Sequence, residues 1–149
     1  MRGEISVLIA DDNVEFGDVL ANYLCQEYDM QVVGVARDGL QALDMIKTYL
    51  PDIVVLDIIM PNLDGIGVLE KAEETKLEKK PIFIMLSAIG QDIFIQRAIA
   101  LGAEYYIVKP FDVEVLVSRI RQVYQEKLRD SLTIGRIIQK AAYQGQKSS

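Results

Sequence analysis

The 149-residue sequence contains no histidine, and this absence narrows the chemistry that the chain can perform. Acid–base catalysis by histidine, Ser-His-Asp triads and His-ligated zinc are all excluded within this chain. The one cysteine, Cys25, cannot form an internal disulfide. We interpret it as a buried packing residue of a helix, because no histidine could activate it as a nucleophile. Any reaction must rely on carboxylates, lysines, hydroxyls and backbone groups.

The sequence also lacks a long apolar run. No stretch approaches the roughly 18–20 apolar residues that cross a bilayer, and the N-terminus leads into a strand-like segment without a signal-peptide layout. Half of the residues are nevertheless apolar, and the length suits one domain with a hydrophobic core. We therefore expect a cytoplasmic protein that makes no membrane contact.

Charge is distributed unevenly along the chain. Residues 127–149 contain five basic side chains and one acidic side chain, a net of +4, whereas the whole chain carries −6. Residues 1–126 therefore carry −10, and an acidic body repels the phosphates of nucleic acids. We expect no direct nucleic-acid contact by residues 1–126. The basic tail, residues 126–149, is interpreted as a linker or as an extension of the last helix.

Five short apolar runs alternate with longer amphipathic stretches. The runs are almost continuous in Val, Ile and Leu, which is typical of strands buried on both faces of a parallel sheet. They comprise residues 5–10, 31–36, 53–56, 82–86 and 105–108. Between them, apolar residues recur at helical spacing, and Asp38 and Gly102 are placed to begin the second helix and end the fourth. This order predicts a doubly wound α/β fold with helices on both faces of a parallel sheet.

Polar residues stand at the carboxyl ends of four of these runs. Asp11 and Asp12 follow the first, Asp57 the third, Ser87 the fourth and Lys109 the fifth. Taken singly, they fit a helix cap, a loop acid, a turn hydroxyl and a surface lysine. Because functional sites of such folds form at the carboxyl ends of the strands, we expect the five side chains to meet.

A metal-assisted phosphoryl transfer would use all five residues. Carboxylates crowded at one edge repel one another unless a cation is present, and Mg²⁺, or Mn²⁺ or Ca²⁺ in its place, prefers oxygen ligands. Asp57 would then be a carboxylate nucleophile toward phosphorus. Lys109 would neutralise the phosphoryl oxygens, and Ser87 would donate a hydrogen bond to one of them. An ionised carboxylate has no proton to lose, so the absence of histidine is no obstacle.

The sequence resembles the receiver domain of bacterial response regulators over residues 4–125. The shared motifs are Asp11-Asp12, Asp57, Pro61, Asp64-Gly65, Ser87-Ala88, Gly102-Ala103 and Lys109-Pro110-Phe111. The resemblance implies a flavodoxin-like sheet of order 2-1-3-4-5 and phosphorylation of Asp57. It also implies Mg²⁺ held by Asp12, Asp57 and the backbone carbonyl of Ile59, with Asp11 acting largely through water. A cis Lys109–Pro110 peptide bond is a further implication.

Longer stretches, at residues 33–36, 56–65, 84–88 and 101–112, are most similar to receiver domains of sporulation regulators. In those proteins a hinge and a DNA-binding domain follow, and the donor is a phosphorelay protein that carries a phosphohistidine. Ser87 departs from a position that is often threonine, but it keeps the hydroxyl. Residues 126–149 contain no recognisable DNA-binding domain. The chain is therefore either a natural single-domain receiver or the receiver part of a longer regulator.

The same resemblance suggests how the signal would be passed on. The donor would be a histidine kinase or a phosphotransferase protein, and a phosphatase and a phosphorylation-dependent homodimer stay open as partners. A Ser87 hydroxyl drawn toward the phosphoryl group would vacate space into which Tyr106 could turn, although plain packing also explains Tyr106. The fourth helix, fifth strand and fifth helix form the expected output surface.

Two other functions fit parts of the pattern. An aspartyl-phosphate-type phosphatase also uses a strand-end carboxylate, Mg²⁺ and lysine. Such enzymes typically carry an Asp-x-Asp motif after the first strand, whereas Asp11 and Asp12 are adjacent in this sequence. A flavodoxin-like binding module would need a phosphate loop rich in glycine or hydroxyls at that place. We interpret the chain as no enzyme, apart from metal-assisted phosphorylation and dephosphorylation of its own Asp57.

Overall fold

The computed structural model describes residues 4–88 and 90–147, with side chains up to residue 142. Five strands alternate with five helices. The strands are β1 (Ile5–Ala10), β2 (Met30–Ala36), β3 (Ile53–Asp57), β4 (Ile82–Ser87) and β5 (Tyr105–Val108). The helices are α1 (Val14–Cys25), α2 (Gly39–Tyr49), α3 (Gly65–Glu74), α4 (Asp92–Ala100) and α5 (Val113–Lys147). The predicted β3 and β4 each end one residue too early, because Asp57 and Ser87 still pair within the sheet.

All neighbouring strands are parallel, in the order β2-β1-β3-β4-β5. The predicted fold class and strand order are thus confirmed. The chain moves from β1 outward to β2, then crosses to β3 on the other side of β1. Such a reversal leaves a crevice at the carboxyl ends of β1 and β3, where ligands bind in doubly wound sheets.

The two faces of the sheet carry separate hydrophobic cores. Leu8, Leu56 and Met85 face α2, α3 and α4, whereas the intervening Ile9 and Ile84 face α1 and α5. All five side chains are fully buried. Because successive residues of a strand point to opposite faces, a strand covered on both sides needs apolar residues at every position. This explains why the apolar runs show no polar alternation.

Three helices begin at a capping side chain. Asn13 accepts a hydrogen bond from the Phe16 amide at 3.0 Å, and Asp38 and Asp64 cap α2 and α3 in the same way. The predicted cap at Asp38 is confirmed, and Gly102 follows the end of α4 with a φ of 103°, in the left-handed region that favours glycine. Asn13, rather than Asp11 or Asp12, caps α1.

The C-terminal ends of α1 and α5 bear on what the sequence predicted for Cys25 and for the tail. The prediction that Cys25 is buried is wrong: it is the exposed last residue of α1, because Leu20 and Leu24 occupy the face that packs on the sheet. Helix α5 continues without a break to Lys147, and its side chains from 127 to 142 are exposed. None of the helices in the described residues is long and apolar enough to span a bilayer.

Candidate functional site

The carboxyl edge of the sheet holds the predicted site residues. Asp11 follows β1, Asp57 and Ser87 end β3 and β4, and Lys109 follows β5. The backbone is anchored there as well, since the Lys109 amide donates to the Ser87 carbonyl at 2.7 Å. The side chains therefore project from a backbone edge that is hydrogen-bonded to the sheet.

Three carboxylates converge at this edge. An oxygen from each of Asp11, Asp12 and Asp57 lies within 4.8 Å of the others. Asp11 is fully buried and Asp57 is 9% exposed, whereas Asp12 faces solvent. The cluster thus offers only oxygen ligands and is open on one side to water. These properties suit a hard divalent cation such as Mg²⁺, which binds carboxylates and keeps several waters.

The Lys109 ammonium bridges two of the three acids. Its Nζ lies 2.7 Å from Asp11 Oδ2 and 3.4 Å from Asp57 Oδ2. The other oxygen of Asp11 accepts a hydrogen bond from the Asn13 amide at 2.9 Å. Asp11 is therefore held at both oxygens, while Asp57 makes the weaker contact with Lys109. Of the two buried acids, Asp57 is the one left freer to react.

The surroundings of Asp57 oppose its negative charge. Burial raises the pKa of Asp57 to about 6, and the nearby Asp11 charge adds to that effect. Lys109 and the backbone amide of Ile59 act in the opposite direction and lower the pKa. A further cation would favour the ionised carboxylate. One bound cation would therefore stabilise the negative charges of Asp11, Asp12 and Asp57 together.

Ser87 and Tyr106 occupy different environments. Ser87 is fully buried, and its Oγ has no hydrogen-bond partner within the described part of the chain. The Tyr106 side chain is 46% exposed on the edge strand β5, and the Ile59 side chain beside the acids is also exposed. The Lys109–Pro110 peptide bond is cis. The edge therefore brings together the three acids, Ser87 and Lys109, but Tyr106 lies outside this group.

Replacement of Ser87 with alanine should stabilise the free protein. A buried hydroxyl without a partner costs about 1–3 kcal/mol, and alanine removes that cost with little change in volume. We expect Ser87→Ala to raise the free energy of unfolding by about 1 kcal/mol in urea titrations without metal or phosphodonor. The exposed Ser131→Ala in α5 provides a control, whose gain should be limited to the few tenths of a kcal/mol by which alanine favours a helix over serine. A loss of stability in Ser87→Ala would show that the hydroxyl is satisfied in the folded protein.

Phe16 is a site neighbour that the sequence reasoning missed. Its helical spacing with Val19 and Leu20 predicts only a place on the apolar face of α1, yet the Lys109 Nζ lies 4.3 Å from the centre of its ring. The Phe111 ring meets Phe16 edge-on, with centroids 5.9 Å apart and an interplanar angle of 85°. Its sequence position, in the first turn after the strand-end acids, is the signal that could have found it.

The chain is similar in sequence and fold to known proteins. The family model of the response regulator receiver domain matches residues 7–121. The response regulator domain of CheB from Thermotoga maritima is 33% identical, with a TM-score of 0.72 over 81% of this chain and 96% of that one. The receiver domain of AraT from Geobacillus stearothermophilus is 28% identical, with a TM-score of 0.74 over 85% and 98%. The corresponding domain of the putative NarL from Mycobacterium tuberculosis is 27% identical, with a TM-score of 0.76 over 83% and 98%.

The fold and the strand-end cluster are those of a flavodoxin-like α/β domain with an acidic site at the carboxyl edge of its sheet. More narrowly, the chain belongs to the response regulator receiver domain family. It is a phosphoacceptor, and its family implies a histidine kinase or phosphotransfer protein as partner. Receiver domains generally bind Mg²⁺ at an acidic pocket, and the three aspartates form such a pocket here.

Proposed function

We propose that Asp57 is the residue that accepts the phosphoryl group, from a phosphohistidine on a partner protein. The observation that carries the proposal is the convergence of Asp11, Asp12 and Asp57 within 4.8 Å, beside the ammonium of Lys109. Asp57 ends a central strand and, of the two buried acids, makes the weaker contact with Lys109. It is therefore both fixed in place and available to a donor.

The chain's own residues account for the proposed transfer. A carboxylate oxygen of Asp57 bonds to phosphorus while the P–N bond to the donor imidazole breaks, and the nitrogen keeps the bonding electrons. Asp57 reacts as the anion, so it loses no proton and needs no general base. Lys109 would neutralise the incoming negative charge, and the unpartnered Ser87 hydroxyl would donate to a phosphoryl oxygen.

The same edge is proposed to hold the cation. Asp11, Asp12 and Asp57, with the backbone carbonyl of Ile59, would bind Mg²⁺, or Mn²⁺ or Ca²⁺ in its place. When bound, the ion supplies positive charge against the phosphoryl oxygens. The exposure of Asp12 leaves a side from which the cation and its waters can enter.

We assign residues 4–125 to the receiver domain and residues 126–149 to a tail that links to an effector domain or extends α5. The output surface would comprise α4, β5 and α5, where large apolar side chains are exposed. They include Ile93, Phe94, Ile99, Tyr106, Val108 and Val115. Ser87 pairs with Val108, two residues beyond Tyr106 on the same strand. A movement of Ser87 would therefore also displace β5 near Tyr106. A surface packing role for Tyr106 without coupling is the alternative.

The wider biological role is inferred from longer sequence motifs. Residues 56–65 and 101–112 support a relation to the master regulator of endospore formation, with a DNA-binding domain as output. A stand-alone phosphorelay receiver is the alternative, and an aspartyl-phosphate-type phosphatase is a weaker one. A phosphatase partner and a phosphorylation-dependent homodimer would both be compatible with the exposed output surface.

Phosphate stoichiometry tests the proposal against the phosphatase. Incubation with acetyl phosphate and Mg²⁺ should label the chain with at most one phosphoryl group, and removal of Mg²⁺ with a chelator should prevent labelling. Intact-protein mass spectrometry measures the labelled fraction, and phosphate release is followed in parallel. Many phosphates released per chain with no labelled protein would favour the phosphatase instead.

A further inference from the structure

The ammonium of Lys109 is enclosed on three sides. Two sides are carboxylates, with Asp11 Oδ2 at 2.7 Å and Asp57 Oδ2 at 3.4 Å. The third side is the ring of Phe16, whose centre lies 4.3 Å from Nζ. The Lys109 side chain is 26% exposed, which is low for a lysine. The ring attracts the ammonium through its quadrupole and does not neutralise its charge.

Phe16 is itself held in place. It lies in the first turn of α1, directly after the Asn13 cap, and its ring is half-buried. The edge of one ring meets the face of the other in the Phe16–Phe111 pair, an arrangement that aromatic rings prefer. Phe111 follows Lys109 by two residues, so the start of α1 and the end of β5 are tied together beside the site.

We infer that Phe16 is a positioning residue for Lys109, whose ammonium it holds at the point where phosphoryl charge arrives. This inference rests on the proposed function of Asp57 as phosphoacceptor. A cation over an aromatic face is attracted by the ring's negative quadrupole, most strongly where water is excluded. Without the ring, the two carboxylates alone would hold the ammonium, and the long lysine side chain would be freer to turn away from the phosphoryl position. The Lys109 ammonium, which should donate hydrogen bonds to the phosphoryl oxygens, would then have to be reoriented during each transfer.

Phe16→Leu tests the inference because leucine keeps an apolar side chain and removes the ring face. We expect its rate constant for labelling by acetyl phosphate at saturating Mg²⁺ to fall about three- to tenfold. Phe83→Leu is the matched control, since Phe83 lies in the opposite core, away from Lys109. That variant should lose some stability yet label at the wild-type rate. Equal slowing of both variants would overturn the inference.

Fluorinated phenylalanines at position 16 separate the ring's electrostatics from its shape. Replacement of Phe16 with its mono-, di- and trifluoro analogues draws electrons from the ring face while the packing changes little. The logarithm of the labelling rate should decrease steadily with each added fluorine if the ring attracts the Lys109 ammonium. A flat series would mean that Phe16 contributes packing alone, and the inference would be wrong.

A readout without metal or phosphodonor tests the geometry by itself. Protons above an aromatic face resonate at lower chemical shift, so the Lys109 ε-methylene signal should be shifted in wild type and normal in Phe16→Leu. Lys109→Met identifies that signal by removing it. An unshifted wild-type signal would overturn the inference. Labelling of the same protein preparation distinguishes the proposed function of Asp57 from the role of Phe16. If wild type is never labelled, the proposed function is wrong as well. A labelled wild type with a fully active Phe16→Leu removes only the role of Phe16.

Discussion

Labelling by acetyl phosphate should fall at least about a hundredfold when Asp57 is replaced by asparagine. The amide has nearly the shape of the carboxylate but lacks the negative charge that attacks phosphorus. The fold should survive, because Asp57→Asn removes a buried charge that repels Asp11. Rapid mixing with acetyl phosphate and Mg²⁺, followed by mass spectrometry, measures the rate of labelling.

Asp64→Asn is the matched control for this result. It removes the same charge from a residue seven positions along the chain, and asparagine caps a helix about as well as aspartate. Labelling of that variant should stay within about twofold of wild type, because Asp64 caps α3 and is not one of the three clustered acids. Equal labelling of Asp57→Asn and wild type would remove Asp57 as the acceptor.

The second large effect concerns the pH dependence of stability in the absence of metal. The pKa of Asp57 is about 6 in the folded protein, above the ordinary value of 3.8. Between these values Asp57 is protonated to a larger extent in the folded state than in the unfolded state, so its contribution to wild-type stability should fall as pH rises from about 4 to about 7. At 1.36 kcal/mol per pKa unit, the loss is at most about 3 kcal/mol.

Asp57→Asn should lack this loss, because the amide does not titrate. The two proteins should be similarly stable near pH 4, and the variant should be more stable by about 2–3 kcal/mol near pH 7.5. Urea titrations across this range in the presence of a chelator measure the difference. Millimolar Mg²⁺ should then stabilise wild type more than the variant, because an ion that binds only the folded state stabilises it. A difference that is constant with pH would contradict the raised pKa.

Much of the fold could be predicted because its signals are local. A central strand covered on both faces must be apolar throughout, so the five runs mark the strands directly. Asp38 and Gly102 mark helix ends through their own backbone preferences. The exact strand ends were harder, because the pairing of Asp57 with Leu86 and of Ser87 with Val108 depends on neighbouring strands.

The composition of the site was also accessible from the sequence, since parallel strands must end at a common edge. What the sequence could not supply was the arrangement within that edge. Whether Lys109 pairs more closely with Asp11 or with Asp57 depends on the register of β1, β3 and β5 relative to one another, which no local pattern encodes. Phe16 was hidden for a related reason: its spacing matches the core face of α1, and only packing turns its ring toward Lys109.

The sequence by itself determined the alternating order of elements, the strands and the acids, hydroxyl and lysine at their carboxyl ends, because each follows from residue type and spacing. Tertiary structure alone decided which of these side chains are buried and what they touch. It exposes Cys25, leaves the Ser87 hydroxyl without a partner in the described chain, and places Gly65 where a β-carbon would overlap the Asp57 carbonyl oxygen. These outcomes depend on contacts between residues far apart in sequence, and such contacts exist only once the sheet and both layers of helices have assembled.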